Sequence, residues 1–488
     1  MRPTRSPPGR TAPPVAAPKA PVLTEPTVTW DTTLAVAAVE TEGVGSSQRL
    51  QVTWTALDGA TGYDLHAVDE LTGHVVRAYA EPDATSQVVP NLRSDTPYRV
   101  WVRGCLNKGC TDFKESAWKS ASTAPELWRL QGSGASLSDL LRPVASGLGW
   151  PSAYVYGEDA PPILRDRVRL VFRTAGTGQD DLAAFGFATG RHAQDARALQ
   201  EDGRYAIGPL HAVGAGIARL GRAQVVPTDA RLGGAVRLFA SVVGMDGVSR
   251  IVSWDSADGA FGLDFNPTAS TQVVGADPDD AAPPKRVLGA DTDEDGGGTA
   301  MVQLRSASVG WSALDAWAWD GGAGTPMVVG GEDGCKQSIN GLFLARWNSR
   351  RWDVLKERGC ARLLVADAVE PALIHRGGTS FKLYYRPMPP AKGQSDLLVL
   401  YAEGKRSGDA ATLDAADFEH ATLARAPRFQ WPDGTALDTA TTKVRDVAVV
   451  HPSMQIAVQA MYLHVSAGDN ESGSADGQQV ALAHLINP

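Results

Sequence analysis

EPALIHRGGTSFKLYYRP, residues 370–387, reads as two strands joined by a tight turn. An apolar run centred on Leu373 and Ile374 leads into Gly377-Gly378, where glycine suits a sharp reversal. The run from Phe381 to Tyr385 that follows is aromatic and apolar, as a buried strand requires. DLLVLYAEGK (396–405) then supplies a third strand.

The same rhythm recurs on both sides of this stretch. Upstream lie PSAYVYG (151–157), RVRLVFRTAG (167–176) and LAAFGFATG (182–190), then IARLGRAQVVPT (217–228), AVRLFASVVG (235–244) and SRIVSWDSADG (249–259). A third group includes ALDAWAWDGG (313–322) and GLFLARWNSRRWDVL (341–355). RDVAVVHPS (445–453), QAMYLHVSAG (459–468) and QVALAHLIN (479–487) close the chain. Helical periodicity is almost absent. About five units of roughly 50–80 residues, each with three or four short strands, favour a β-propeller, whose radial repetition protects its sheet edges. A pair of sandwiches and a β-helix are the alternatives. The segments 265–298 and 406–440 read as insertions, and the last strand is expected to complete the first blade. This large all-β domain is expected over 126–488.

The blades at 370–387 and 219–242, together with VSWDSADGAFGLDF (252–265), resemble the five-bladed propellers of glycoside hydrolases and their non-catalytic relatives. Glycosidic cleavage needs two carboxyl groups, one acid and one base or nucleophile. The resemblance implies acids on the inner strands of successive blades. Glu370, just before Pro371, is the candidate acid. Asp446 and Asp229 are candidates for the base or an orienting carboxylate, with Asp315 and Arg445 beside them as ligand-binding candidates. The first unit, GWPSAYVYG, offers no Asp where the resemblance would put the base, which favours binding without turnover.

Other residues carry weaker signals. Trp317 and Trp319 fall on one face of a strand, where exposed rings would stack on sugars and buried ones would pack between blades. Trp311, Trp347 and Trp352 lie in the same region. His375, His451 and His464 show no metal-ligand spacing. Asp291, Asp293 and Asp295 alternate before Gly296 and offer oxygen ligands for calcium, although Val302 stands where a full calcium loop has glutamate. The Asn470-Glu471-Ser472 sequon carries no weight in this Gly/Ala/Arg-rich, bacterial-looking composition.

Residues 27–124 read as a separate antiparallel sandwich. RLQVTWTA (49–56) sets Leu50, Val52 and Trp54 on one face, GYDLHAV (62–68) follows, and PYRVWVRG (97–104) sets Tyr98, Val100 and Val102 inward. Trp54, Tyr63 and the Leu92…Tyr98 spacing resemble a fibronectin type III domain and its tyrosine corner. The resemblance implies a spacer or binding module without chemistry. The expected class is therefore all-β, a fibronectin type III sandwich followed by a large, five-bladed propeller.

Residues 1–26 hold eight prolines (3, 7, 8, 13, 14, 18, 21 and 26) and read as an extended tether. The chain has 46 basic and 55 acidic residues, net −9, which argues against a nucleic-acid partner. It has no run of apolar residues long enough to span a membrane. The four cysteines are Cys105, Cys110, Cys335 and Cys360. RGCLNKGC (103–110) admits a disulfide across a polar turn or two free thiols. A Cys335–Cys360 bridge would add about 3 kcal/mol on the chain-entropy account. Two such pairs point to an extracellular or surface-held protein. The sequence thus favours a protein that binds a glycan or a surface protein. A glycoside hydrolase and a purely structural adhesion protein are its rivals.

Overall fold

The computed structural model describes residues 34–41 and 45–130, the strands between 148 and 377 whose bounds follow, and 379–387, 397–407, 410–412, 414–438, 442–450, 460–467 and 478–488. Among the described residues there are only strands and two 3₁₀ turns, at Ala415–Asp417 and Ala421–Leu423. None of these elements is a helix long and apolar enough to cross a membrane. The chain forms two compact units. The first holds 1–40, 50–89 and 96–122. The second holds 41–49, 90–95 and 123–488.

The first unit is a three-on-four sandwich. Its strands are β1 (Val36–Thr41), β2 (Leu50–Trp54), β3 (Gly62–Asp69), β4 (Val75–Ala80), β5 (Ser86–Val89), β6 (Pro97–Cys105), β7 (Phe113–Glu115) and β8 (Lys119–Ser122). One sheet runs β1-β2-β5 and the other β4-β3-β6-β7, with β8 also on β6. This is the antiparallel sandwich that the alternation at 50–54 and 98–102 predicts, with the strand order that the resemblance to a fibronectin type III domain implies. Leu50, Val52, Trp54, Tyr98, Val100 and Val102 are all buried. Trp54 and Tyr63 meet at 5.1 Å between ring centroids, and the Tyr63 hydroxyl accepts from the Leu57 amide at 2.9 Å. Gly104 is needed there, because a Cβ would come within 2.6 Å of Leu57 Cδ2. The β3–β4 turn is fixed by Asp69, whose Oδ1 accepts from the Leu71 amide at 2.8 Å, while Gly73 takes a φ of 75°.

The second unit begins with β9 (Leu127–Leu130). Four sheets then follow in chain order. The first is β10 (Leu148–Val155), β11 (Val168–Thr174), β12 (Ala184–Gly190) and β13 (Gln200–Ala206). The second is β14 (His211–Ala212), β15 (Ala215–Pro227), β16 (Val236–Gly244), β17 (Ser249–Ser256) and β18 (Phe265–Val274). The third is β19 (Thr299–Met301), β20 (Ala316–Asp320), β21 (Gly341–Trp347) and β22 (Trp352–Val354). A small hairpin, β23 (Lys356–Glu357) and β24 (Cys360–Ala361), precedes β25 (Leu363–Ala366), which pairs with β21. The fourth sheet is β26 (Ala368–Gly377), β27 (Ser380–Pro387) and β28 (Leu398–Glu403). After the hairpin β29 (Lys405–Ser407) and β30 (Ala410–Thr412) come β31 (Arg428–Gln430), β32 (Thr442–Val450), β33 (Ala460–Ala467) and β34 (Gln478–Leu485). These last four join β9 in the order β31-β9-β34-β33-β32.

The leading strands close a circle. β10 packs on β15 and on β32, β15 on β19, β19 and β20 on β26, and β26 on β32. Sheets set around one ring of leading strands are a propeller. The closure differs from the sequence expectation. The first strand, β9, completes the last sheet, pairing parallel to β31 and antiparallel to β34. Pairing the two ends of the domain ties the ring shut without a covalent bond. Asn487 secures it: its Oδ1 accepts from the Leu127 amide at 2.8 Å, and its Nδ2 donates to Pro125 O at 2.9 Å. Residues 265–274, read from sequence as part of an insertion, are a paired strand. Residues 428–430 likewise extend the last sheet.

Strand β27 shows why the opening stretch has no alternation. Phe381, Leu383 and Tyr385 lie in one core with Leu342, Val365 and Leu400. Tyr384 lies in another, with Trp128, Val399, Tyr401, Phe429 and Val447. A blade is covered on both faces by its neighbours, so successive residues are all buried.

Candidate functional site

The leading strands carry a repeated irregularity. In β10, Trp150 and Pro151 lie between the pairs Gly149↔Arg173 and Ser152↔Val171, so two residues oppose one. In β15, Gly221 and Arg222 lie between Leu220↔Val242 and Ala223↔Ala240. In β26, Glu370 and Pro371 lie between Val369↔Arg386 and Ala372↔Tyr384. In β32, Arg445 is the extra residue between Val444↔Val465 and Asp446↔His464. A β-bulge bends its strand and re-aims a side chain, and bulges recur beside active sites. Four of the five leading strands thus place a bulge on the ring. Glu370, Arg445 and Asp446 are at or beside two of them.

Backbone placement brings several sequence candidates to neighbouring strands. Trp317 and Trp319 alternate on β20, opposite Ala345 and Phe343 of β21. β20 packs on β26, which carries Glu370, and β26 packs on β32, which carries Arg445 and Asp446. His464 lies directly across the ladder from Asp446, and His375 across from Phe381. Asp229, Asp315, Trp311, His451, Cys335 and the calcium candidates Asp291, Asp293 and Asp295 lie outside the described residues. No group of three potential metal ligands occurs among the described residues. Trp150 and Arg222, which sequence reading did not single out, occupy bulges equivalent to that of Glu370. Trp150-Pro151 and Glu370-Pro371 share the proline, a signal visible in the sequence.

A second polar cluster was also missed. Glu126, next to β9, is fully buried, and so are Lys382 and Tyr384 of β27 and Tyr401 of β28. Lys382 Nζ lies 2.6 Å from Glu126 Oε1. Tyr384 donates to Oε2 at 2.7 Å, and the Trp128 indole donates to the same atom at 3.1 Å. Burial pushes the Glu126 carboxyl up, but the Lys382 ammonium and these donors together hold it below the usual range. Burial pulls the Lys382 amine down, against the Glu126 charge. Burial and Glu126 push the Tyr401 phenol up to about 12. Arg376 and Arg425 each stand 5.1 Å from the Tyr401 ring centre. Arg425 also pairs with Glu419, which Arg93 meets at 2.7 Å. No substrate reaches a pair sealed this completely. The cluster holds the fourth sheet to the last one across the closure. The signal in the sequence was a lysine at a buried position within FKLYY.

In the first unit Cys105 and Cys110 form a disulfide. It closes the loop in which Asn107 Oδ1 accepts from the Thr111 amide at 3.0 Å and Gly109 takes a φ of 120°.

No protein-family model matches the chain, and no curated protein matches its sequence. Among solved structures, the catalytic domain of a GH62 α-L-arabinofuranosidase from Coprinopsis cinerea is similar at 12% identity, covering 74% of this chain and 98% of that one, with a TM-score of 0.40. A GH43_1 enzyme from Xanthomonas citri complexed with xylotriose is similar at 13% identity, covering 72% and 93%, with a TM-score of 0.37. An FN3 domain of human collagen XX is 24% identical over 19% of this chain and 94% of its own, with a TM-score of 0.16. Scores this low transfer no activity.

Proposed function

We propose that the propeller recognises a glycan on its ring of leading strands and does not turn it over. The observation that carries this reading is the bulge of β10. The register places Glu370-Pro371 at the bulge of β26 and Trp150-Pro151 at that of β10, an aromatic residue type in place of an acidic one. Hydrolysis needs a second carboxyl group across the bond, whereas recognition is served by aromatic and charged groups. Trp317, Trp319, Asp315 and Arg445 are the contacts assigned to it. The ring of five sheets favours the five-bladed form. The disulfide suits an extracellular or surface-held protein, with residues 1–26 as its tether and the fibronectin-like unit as a spacer. Calcium at Asp291, Asp293 and Asp295 and a Cys335–Cys360 bridge belong to the same reading.

One observation favours the rival enzyme. Glu370 and Asp446 lie on packed neighbouring strands, each at or beside a bulge. In that reading Glu370 is the acid, and Asp446 or Asp229 is the base. A glycan array probed with the full chain tests recognition. Trp317→Ala and Trp319→Ala are expected to weaken binding about tenfold. An array with no bound glycan would remove the proposal and leave a structural role.

A further inference from the structure

The outward face of β4-β3-β6-β7 is built in rows by its register. Arg77, His66 and Trp101 form one row; Tyr79, Asp64, Arg103 and Glu115 form the next. Three aromatic rings stand open on or beside it: Tyr79 is 58% exposed, Trp118 40% and Phe113 39%. Open aromatic side chains usually sample several rotamers, but these are held. The Tyr79 ring crosses the α-carbon of Gly62, where a Cβ would come within 2.2 Å of the phenolic oxygen. The Arg99 guanidinium covers one side of Trp118 at 4.6 Å and is itself tied to Glu70 at 2.8 Å. Arg103 covers one side of Phe113 at 3.9 Å and is tied to Glu115 at 2.6 Å. Each ring has one side braced by the protein and remains partly open to solvent.

The charges on this face cancel. Arg77, Arg99 and Arg103 stand against Asp64, Glu70 and Glu115, three against three. His66 adds no charge near neutral pH, because burial, and then Arg103 and Arg77, hold it below its usual range against the pull of Asp64. A polyanion such as nucleic acid or an acidic membrane finds no excess of cations here. A protein partner is served by a continuous apolar centre, whereas here the rings are separated by ion pairs and the exposed Val75 is set apart from them, in a row with Val68 and Arg99. What fits braced rings alternating with fixed donors and acceptors is a molecule with flat C–H faces and a rim of hydroxyl groups.

We propose that this sheet face is a second carbohydrate site, separate from the propeller ring, and that it takes a neutral, extended polysaccharide chain. It rests on the first unit alone and does not depend on the reading of the propeller. Pre-braced rings lower the entropy lost on binding, which suits a long repetitive ligand held by weak repeated contacts.

The test is affinity electrophoresis of the full chain through gels containing arabinoxylan, mixed-linkage β-glucan or hydroxyethyl cellulose, with polygalacturonate as the charged comparison. All variants also carry Trp317→Ala and Trp319→Ala, so that the propeller contributes least. At least one neutral polymer is expected to retard this background. Tyr79→Ala with Trp118→Ala is expected to weaken that retardation about tenfold. Tyr79→Phe, which keeps the ring, should retain it and thereby show that the fold is intact. The proposal is overturned if no neutral polymer retards the background, if Tyr79→Ala with Trp118→Ala migrates as the background does, or if only polygalacturonate retards it. It is also overturned if sizing shows that the face joins two copies of the chain, a dimer that the double variant splits. Failure of the propeller reading shows separately, as unchanged array binding by the Trp317 and Trp319 variants.

Discussion

Two clusters in this molecule use the same materials in opposite ways. Around Glu126, one carboxylate, one ammonium and three aromatic side chains are sealed between two sheets of the propeller, and almost no atom of them meets water. On the fibronectin-like unit, Arg99 with Trp118 and Arg103 with Phe113 pair charge with ring in the open. Exposure decides what each does. A buried ion pair costs desolvation and is tolerated only when every lone pair is met, as Tyr384 and Trp128 meet those of Glu126. Such a pair specifies which sheets come together. An open pair contributes little stability but holds a ring in place for a ligand.

Removing one side of the sealed pair does the most damage. Lys382→Met leaves Glu126 charged and buried without its partner, and should cost about 3–5 kcal/mol in urea unfolding. Adding Glu126→Leu should recover much of that loss, because two apolar groups leave no charge unmet. Equal loss in the single and double variants would show that packing, not charge, is what matters. In the first unit, Cys105→Ser with Cys110→Ser opens a short loop and should cost about 2 kcal/mol on the chain-entropy account. Intact mass before and after reduction and alkylation reports the bridge directly.

The smallest effect concerns pH. His66 is held below the ordinary histidine value of 6.5, chiefly by burial, so the unfolded chain binds its proton more tightly than the folded one. Its neutral form is accommodated without loss above pH 6.5. Stability falls as pH drops below 6.5 towards the folded value, where the loss levels off. His66→Gln should flatten that slope in thermal melts between pH 7.5 and 5. A variant with an unchanged slope would assign the dependence to another group.

How legible all this was in the sequence depended on periodicity. The first unit showed through because its sheets are covered on one face only, so Leu50, Val52 and Trp54 alternate with the half-buried Gln51 and Thr53. In the propeller, FKLYY is buried on both faces, and alternation gave no phase by which to mark Lys382 as an interior charge. Ring closure by β9 rests on a pairing between residues about 350 apart, which no local pattern encodes. Glu370 and Asp446 stood out in the sequence as acids expected at strand entrances, whereas Glu370 is the third residue of β26 and Asp446 lies in the middle of β32. Their bulges were not legible, because a bulge is a property of the partner strand's register as much as of the residues in it.

Recognition without turnover is tested most directly by reducing-end release from any glycan the array identifies, measured over a day with the wild-type chain beside Glu370→Gln. Retained glycan, no release above the protein-free reaction, and no difference between the two proteins are expected. Release by the wild type that Glu370→Gln abolishes would contradict recognition without turnover and make the propeller a glycoside hydrolase.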